Sequence, residues 1–264
     1  MSTTVAFEKA RAEGRAALIG YLPAGYPSVD GSVTALKAMV EAGVDAVEIG
    51  LPYSDPVIDG PTVQAAVEGA LKAGTTTADV LRVVEAVAAA GAPAVVMSYW
   101  NPLQRYGAAA FARDLAAAGG SGVITPDLTP DADDTWIPAA REHGLDTVFL
   151  VAPSSTDDRI AMTTAACRGF VYATSVMGVT GTRDQVGDAA AGLVARTKAT
   201  TDLPVAVGLG VSNGAQAAEI AAYADGVVVG SAFVRRLLEA PDPAAGLASV
   251  AELAADLAGG VRTR

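Results

Sequence analysis

The sequence of 264 residues contains one cysteine and one histidine, which limits the chemistry that it can carry out. Cys167 has no partner for an internal disulfide, so we expect a packed or partly exposed thiol rather than a nucleophile. His143 precedes Gly144 at a predicted helix end, where a cation interacts favourably with the helix dipole. We therefore assign neither residue a catalytic role.

Long apolar segments and positive charge are also scarce. No window of about 18 apolar residues occurs, and the N-terminus lacks the apolar core of a signal peptide, so we expect a cytoplasmic protein with no membrane partner. Eighteen Lys and Arg stand against 29 Asp and Glu, and the formal net charge of −11 disfavours nucleic acid binding. A phosphorylated small substrate would have to be held by backbone N–H groups and helix N-termini.

Short β-branched apolar runs recur along the chain, each followed by a turn and an Ala-rich helical pattern. There are eight, at residues 16–22, 45–50, 93–99, 122–126, 146–153, 170–175, 204–210 and 225–230. Because strands joined by single helices pair in parallel, eight such units predict an α/β protein with a closed (β/α)8 TIM barrel. We expect residues 1–264 to form one such domain with extra helices. The alternative, an open doubly wound sheet, lacks its glycine fingerprint after the first strand.

The second predicted strand carries an acid where a core residue is expected. Alternation in VEIGL places Glu48 on the opposite face from Val47 and Ile49, toward the barrel interior. Burial raises the pKa of a carboxylic acid, and such a glutamate both gives and takes a proton near neutral pH. Asp59 follows in the loop SDPVIDGP, before a helix predicted to begin near Thr62. These two carboxylates predict an acid–base pair in two different environments.

Two further acids follow predicted strands. Asp55, in SDP, is interpreted as a turn residue. For Asp127, in ITPDL, a turn role and a catalytic role both stay open.

The junctions after the last three predicted strands are rich in small residues and nearly free of charge. Gly210, Gly230 and Ser231 stand where the chain leaves the last two strands. Glycine lets the backbone approach a ligand, and these loops, with a helix N-terminus, form the usual phosphate site of such barrels. The long loop after the sixth strand, with Thr180 and Gly181, is predicted to act as a lid.

Apolar or aromatic side chains near the strand ends complete the predicted pocket, which suits a flat aromatic ring beside a phosphate group. They are Tyr21, Met97, Ile124, Val151, Tyr172 and Leu209. For Tyr99, Trp100 and Asn101, the sequence leaves open a place in the pocket wall or on the surface.

Seven motifs between about Ala17 and Arg235 resemble, in order, those of the tryptophan synthase alpha chain family. They are VEIGLPYSDPVIDGPTVQAA, MSYWNPLQRYG, ITPDLTPDAD, FLVAPSSTDDRI, YATSVMGVTGTR, VGLGVSN and DGVVVGSAFV. The resemblance implies a (β/α)8 barrel that cleaves indole-3-glycerol phosphate to indole and glyceraldehyde 3-phosphate. It implies a retro-aldol reaction without a metal or organic cofactor in this chain.

The resemblance also assigns roles to single residues. It makes Glu48 the general acid and base at indole C3 and the glycerol hydroxyl, and Asp59 the group that engages the indole N–H. Tyr172 would lie beside the substrate, and Thr180 would close toward Asp59. The implied phosphate-binding residues are Gly181, Gly210, Gly230 and Ser231.

A beta subunit that carries pyridoxal phosphate is the implied partner, in an alpha2beta2 complex that makes L-tryptophan. The loops around Pro56 and after Asp127 would lie near it. Tyr21 and Tyr53 stand where the family often has Phe, and Val176 and Met177 replace a more polar pair. These departures affect the shape of the pocket and the lid, and none removes a catalytic group.

Three other functions stay open at this point. The first is a stand-alone indole-glycerol phosphate lyase, and the second is a catalytically weak regulatory subunit of the beta partner. The third is a metal-dependent aldolase or isomerase with Glu48, Asp59 and Asp127 as oxygen ligands. Retention of Glu48 and Asp59 argues against the second, and the lack of a histidine near any strand end argues against the third.

Overall fold

The computed structural model describes residues 1–174, 183–208 and 210–263, with the side chains of 183–188 left out. In this part of the chain, parallel strands form a nearly closed barrel surrounded by helices. The strands are β1 (Ala17–Pro23), β2 (Ala46–Gly50), β3 (Ala94–Met97), β4 (Gly122–Ile124), β5 (Asp146–Val148), β6 (Leu150–Val151), β7 (Val171–Thr174), β8 (Val205–Gly208) and β9 (Gly226–Val229).

The helices mostly follow the strands one by one, as parallel pairing requires. They are α1 (Thr4–Ala12), α2 (Val29–Glu41), α3 (Pro61–Lys72), α4 (Thr77–Ala88), α5 (Trp100–Tyr106), α6 (Ala108–Ala117), α7 (Trp136–Glu142), α8 (Asp157–Ala166), α9 (Arg183–Lys198), α10 (Gly214–Ala221), α11 (Ser231–Leu238) and α12 (Pro243–Gly260). None of the helices in the described part of the chain has the length and apolarity that crossing a bilayer requires.

The strand order is β5-β4-β3-β2-β1-β9-β8-β7-β6, and its two ends are neighbours in the chain. Only Phe149 separates β5 from β6. The Val148 carbonyl accepts from the Thr125 N–H at 3.2 Å, whereas the Phe149 carbonyl accepts from the Tyr172 N–H at 3.2 Å. The fifth predicted strand is therefore split in two, and its halves join β4 to β7. The predicted TIM barrel is confirmed.

The strands are buried on both faces, because one face meets the barrel interior and the other meets the helices. Ile19 belongs to the interior cluster, whereas its neighbour Leu18 packs in the larger cluster beneath the helices. The period of two in a strand produces this division. It also determines which side chains of each strand can reach a site inside the barrel.

Helix α1 packs against the N-terminal ends of the strands. The Phe7 ring lies 5.3 Å from that of Phe170, just before β7. Asp146, the buried first residue of β5, accepts hydrogen bonds from the Thr3 N–H and the Thr3 hydroxyl, both at 2.7 Å. Apolar packing and a buried carboxylate thus fix α1 at the end of the barrel opposite the predicted site.

We expect Phe7→Ala to lower the free energy of unfolding by about 3 kcal/mol, because it leaves a cavity between α1 and the barrel. Val5→Ala is the matched control, since Val5 lies on the same helix but is 48% exposed. Its effect should stay within about 0.5 kcal/mol. Urea unfolding followed by circular dichroism measures both values, and equal effects of the two substitutions would contradict the proposed packing.

Candidate active site

The C-terminal ends of the strands surround a cavity of about 180 Å³ that is partly open to solvent. This is the end at which (β/α)8 enzymes carry their active sites. Eight of the predicted site residues line it: Tyr21, Glu48, Asp59, Met97, Tyr172, Gly210, Gly230 and Ser231. The cavity also has apolar lining from Ile58, Val63, Val211 and Val228, which we did not predict.

Glu48 lies inside the barrel in the middle of β2, directly beside Tyr21 of β1. It is 1% exposed, and among the described residues its Oε1 atom has no hydrogen-bond partner. Burial without a compensating donor or cation disfavours the charged form and raises the pKa of Glu48 to about 8. Glu48 is therefore a carboxylic acid that keeps its proton at neutral pH.

Two tyrosines stand beside Glu48, each packed against a glycine. A Cβ atom on Gly50 would collide with the ring and hydroxyl of Tyr21, and one on Gly208 would collide with those of Tyr172. Glycine at these strand ends leaves the space that the rings occupy. Burial raises the pKa of both phenols, and the negative charge of Asp59 raises the pKa of Tyr21 further. Both hydroxyls therefore remain protonated donors.

Asp59 enters the same cavity from the loop after β2. This loop ends at Gly60, the N-cap of α3, and the helix begins at Pro61, one residue from the predicted start. The Gln64 side chain donates to the Asp59 carbonyl at 2.7 Å. Partial burial raises the pKa of Asp59, whereas a hydrogen bond from the Tyr99 hydroxyl opposes this rise. The two acids in the cavity therefore have different surroundings.

Tyr99, the residue that contacts the Asp59 loop, was left undecided by the sequence. It is 5% exposed and forms the N-cap of α5, a helix that the sequence did not predict. Its hydroxyl accepts from the Val57 N–H at 3.1 Å and from the Ile58 N–H at 3.0 Å. The sequence offered one signal, since a tyrosine at the end of β3 stands beside the strand that carries Glu48.

The opposite side of the cavity is formed by backbone and small residues. Helix α11 begins there at Ser231, with Gly230 as an N-cap that has no side chain to satisfy the first N–H groups. Helix α10, by contrast, is capped by its own Asn213 side chain, which accepts from the Gln216 N–H at 3.0 Å. The described lining contains no Lys or Arg. The start of α11 can therefore bind an anion through its N–H groups and helix dipole.

Comparison with known proteins decides the family. A family model described as tryptophan synthase alpha chain matches residues 7–261. The chain belongs to this family. Curated tryptophan synthase alpha chains from Salinispora tropica and Thermobifida fusca are each 61% identical to it, over 98% and 96% of this chain and 97% and 95% of theirs.

Solved structures agree with this family. Tryptophan synthase from M. tuberculosis, in an open form with BRD0059 bound, matches with a TM-score of 0.91 and 55% identity over 99% of both chains. The tryptophan synthase alpha subunit from Legionella pneumophila strain Paris matches with a TM-score of 0.89 and 29% identity over 99% of this chain and 98% of that one. As a tryptophan synthase alpha chain, the protein is a lyase that cleaves indole-3-glycerol phosphate, which confirms the predicted activity.

Of the other five predicted site residues, two lie outside the described lining of the cavity and three fall on residues that the structure does not describe. Ile124 is buried in the interior cluster, and Val151 is buried in the cluster beneath the helices, so neither belongs to the described lining. Thr180, Gly181 and Leu209 lie outside the described residues, as do Val176 and Met177.

The remaining acids have local hydrogen-bond partners. Asp127 accepts from the Trp100 N–H at 2.9 Å and so holds the start of α5, while Asp55 accepts from the Ser54 hydroxyl at 2.6 Å. Both are exposed and lie outside the described lining of the cavity. The three acids of the metal-dependent alternative, Glu48, Asp59 and Asp127, therefore do not share this cavity.

We predict that Glu48 lowers the stability of the folded protein as the pH rises. Its folded pKa of about 8 lies above its usual value of 4.5, so the folded state binds more protons between these pH values. Ionisation of Glu48 leaves the free energy of unfolding unchanged below about pH 4.5, lowers it progressively between these two pH values, and lowers it most above about pH 8. Glu48→Gln should therefore raise the free energy of unfolding at pH 9, relative to pH 5, by on the order of a few kcal/mol. Urea unfolding at both pH values tests this, and parallel curves for the two proteins would contradict the raised pKa.

Proposed function

We propose that indole-3-glycerol phosphate binds in this cavity, with its phosphate at the N-terminus of α11 and its indole ring near Glu48 and Asp59. The phosphate would accept hydrogen bonds from the backbone around Gly230 and Ser231. Apolar lining from Met97 and its neighbours suits the ring. The observation that carries the proposal is the buried Glu48 in this lining, whose Oε1 has no partner among the described residues.

The carbon–carbon bond breaks only if the indole ring accepts its electrons. Protonated Glu48 delivers its proton to indole C3, which converts the ring to an indolenine cation with positive charge at N1. Ionised Asp59 stabilises this charge by accepting from the N1–H group. The bond from C3 to the glycerol carbon then breaks, its electrons return to the ring, and Glu48 takes the proton of the glycerol hydroxyl. Indole and glyceraldehyde 3-phosphate leave, and Glu48 is again protonated.

This mechanism needs one protonated and one charged acid at the same pH. Burial without a donor to Oε1 keeps Glu48 protonated. Burial also raises the pKa of Asp59, but this burial is partial and the hydrogen bond from Tyr99 opposes the rise. The two environments therefore suit the two roles.

We expect Glu48→Gln and Asp59→Asn each to reduce kcat for indole formation by about a thousandfold, because each removes a proton transfer or a charge that the transition state needs. Glu68→Gln, on the exposed face of α3, is the control and should leave kcat unchanged. Circular dichroism confirms that each variant is folded. Wild-type turnover in either active-site variant would contradict the assignment.

We further infer that a beta subunit is the partner, in an alpha2beta2 complex in which pyridoxal phosphate belongs to the beta subunit alone. Tryptophan synthase from M. tuberculosis, to which this chain is similar, has been solved in an aminoacrylate-bound form. On this chain, the loop around Pro56 exposes Val57 at 76% and Ile58 at 51%. Such side chains near the mouth of the cavity suit a protein partner.

We expect the beta subunit of the same organism to raise turnover of indole-3-glycerol phosphate at least about tenfold, since binding would order the loop that carries Asp59. Steady-state assays with and without the beta subunit measure this change. A turnover that does not respond, while size-exclusion chromatography shows no complex, would favour the stand-alone lyase. Complex formation with no cleavage at all would favour the regulatory subunit.

A further inference from the structure

The loop that carries Asp59 is held at its centre by a residue from a different βα unit. Tyr99 follows β3, and its hydroxyl accepts from two consecutive backbone N–H groups, those of Val57 and Ile58. These are the two residues immediately before Asp59. The Tyr99 hydroxyl therefore holds the backbone directly before Asp59 from across the β2–β3 boundary.

The chemistry of a phenol determines where the remaining hydrogen bond goes. A tyrosine hydroxyl has one proton and lone pairs for two acceptor interactions. The N–H groups of Val57 and Ile58 donate to the oxygen, so the hydroxyl proton stays available for an acceptor on the same loop. A hydrogen bond from this hydroxyl to the Asp59 carboxyl opposes the rise in the pKa of Asp59 that burial causes. One oxygen atom thus connects two backbone donors and one carboxylate.

We propose that Tyr99 is a positioning residue for the cleavage of indole-3-glycerol phosphate, and that its hydroxyl holds the Val57–Asp59 turn and orients the Asp59 carboxylate toward the substrate. The inference rests on the proposed role of Asp59. Tyr99 acts through Asp59 and does not itself touch the reacting atoms.

Tyr99 is suited to this role because it is fixed on three sides. The Ser98 hydroxyl donates to its carbonyl at 2.8 Å, and Asp127 accepts from the next backbone N–H, that of Trp100. The Tyr99 ring packs against that of Tyr53, with centroids 5.4 Å apart. In the described part of the chain, Asp127, for which a catalytic role was open, is connected to the site through the helix start that it caps.

The charges around Asp59 explain why a donor is useful there. Among the described residues, the titratable groups that face it are Tyr99 after β3, Tyr21 from β1 and, across the cavity, Glu48 from β2 and Tyr172 from β7. None of these is a cation. Burial alone would favour protonated Asp59, and the donated hydrogen bond opposes that effect.

The test is Tyr99→Phe, which keeps the ring and removes the hydroxyl. We expect kcat/KM for cleavage to fall roughly tenfold, as for loss of a hydrogen bond to a charged group. The acidic limb of the pH profile should move to higher pH, because Asp59 loses a donor that lowers its pKa, while the alkaline limb stays in place.

Tyr53→Phe is the matched control, since it removes a neighbouring hydroxyl that accepts only from Asn101 in the described residues. It should leave both limbs and kcat/KM unchanged.

Carbon-13 NMR of the aspartate carboxyl groups provides a readout without substrate, with Asp59→Asn used to assign the signal. We expect Asp59 in Tyr99→Phe to titrate at higher pH than in the wild type. The double variant Tyr99→Phe/Asp59→Asn should be no slower than Asp59→Asn alone. An unchanged titration of Asp59 in Tyr99→Phe, or additive losses in the double variant, would overturn the proposal. If Asp59→Asn itself retains full activity, the proposed function fails, independently of Tyr99.

Discussion

The site depends on one unfavourable interaction, the burial of the Glu48 carboxyl inside a closed barrel. Burial removes the carboxyl from water at a cost in free energy, and among the described residues no donor to Oε1 and no cation offsets this cost. The surrounding structure therefore has to be rigid enough to keep the carboxyl buried. Strands buried on both faces, joined end to end through Phe149, supply that rigidity. Gly50 and Gly208 add to it by letting two tyrosine rings fill the space around the acid.

In the proposed mechanism the second acid, Asp59, has to be charged, and it lies on a loop instead of a strand. A strand can bury Glu48 because its backbone is fixed by neighbours on both sides. A loop leaves Asp59 partly exposed, but it also leaves the carboxylate free to turn unless something holds it. Tyr99 supplies both the restraint and the donor. The two carboxyl groups of the cavity thus have different surroundings: Glu48 is fully buried on a strand, whereas Asp59 is partly buried on a loop beside the Tyr99 hydroxyl.

Features that depend on the alternation of side chains along a strand, or on where a strand ends, could be predicted from the sequence. Features that depend on contacts between residues far apart in the chain could be predicted less well. Glu48 interrupts an apolar run, so the period of two shows which face it occupies. Residues 146–153 are almost entirely apolar, so the same rule does not show which side chains face the barrel interior and which face the helices. Val151 was predicted to line the cavity, but it is buried beneath the helices. For Tyr99 the sequence shows only that it follows a strand, because the backbone groups that it binds, those of Val57 and Ile58, lie more than 40 residues away.

The lack of Lys and Arg in the described lining of the cavity is compatible with the same constraint on Glu48. A Lys or Arg placed to bind phosphate would also stabilise the Glu48 carboxylate and lower its pKa, which would remove the proton that indole C3 needs. N–H groups at the start of α11, beside Gly230 and Ser231, attract an anion with only partial charges. Their field at Glu48 is correspondingly weaker than that of a full cation. Binding a phosphate through backbone, in an acidic chain, is therefore compatible with keeping a neutral carboxylic acid in the same cavity.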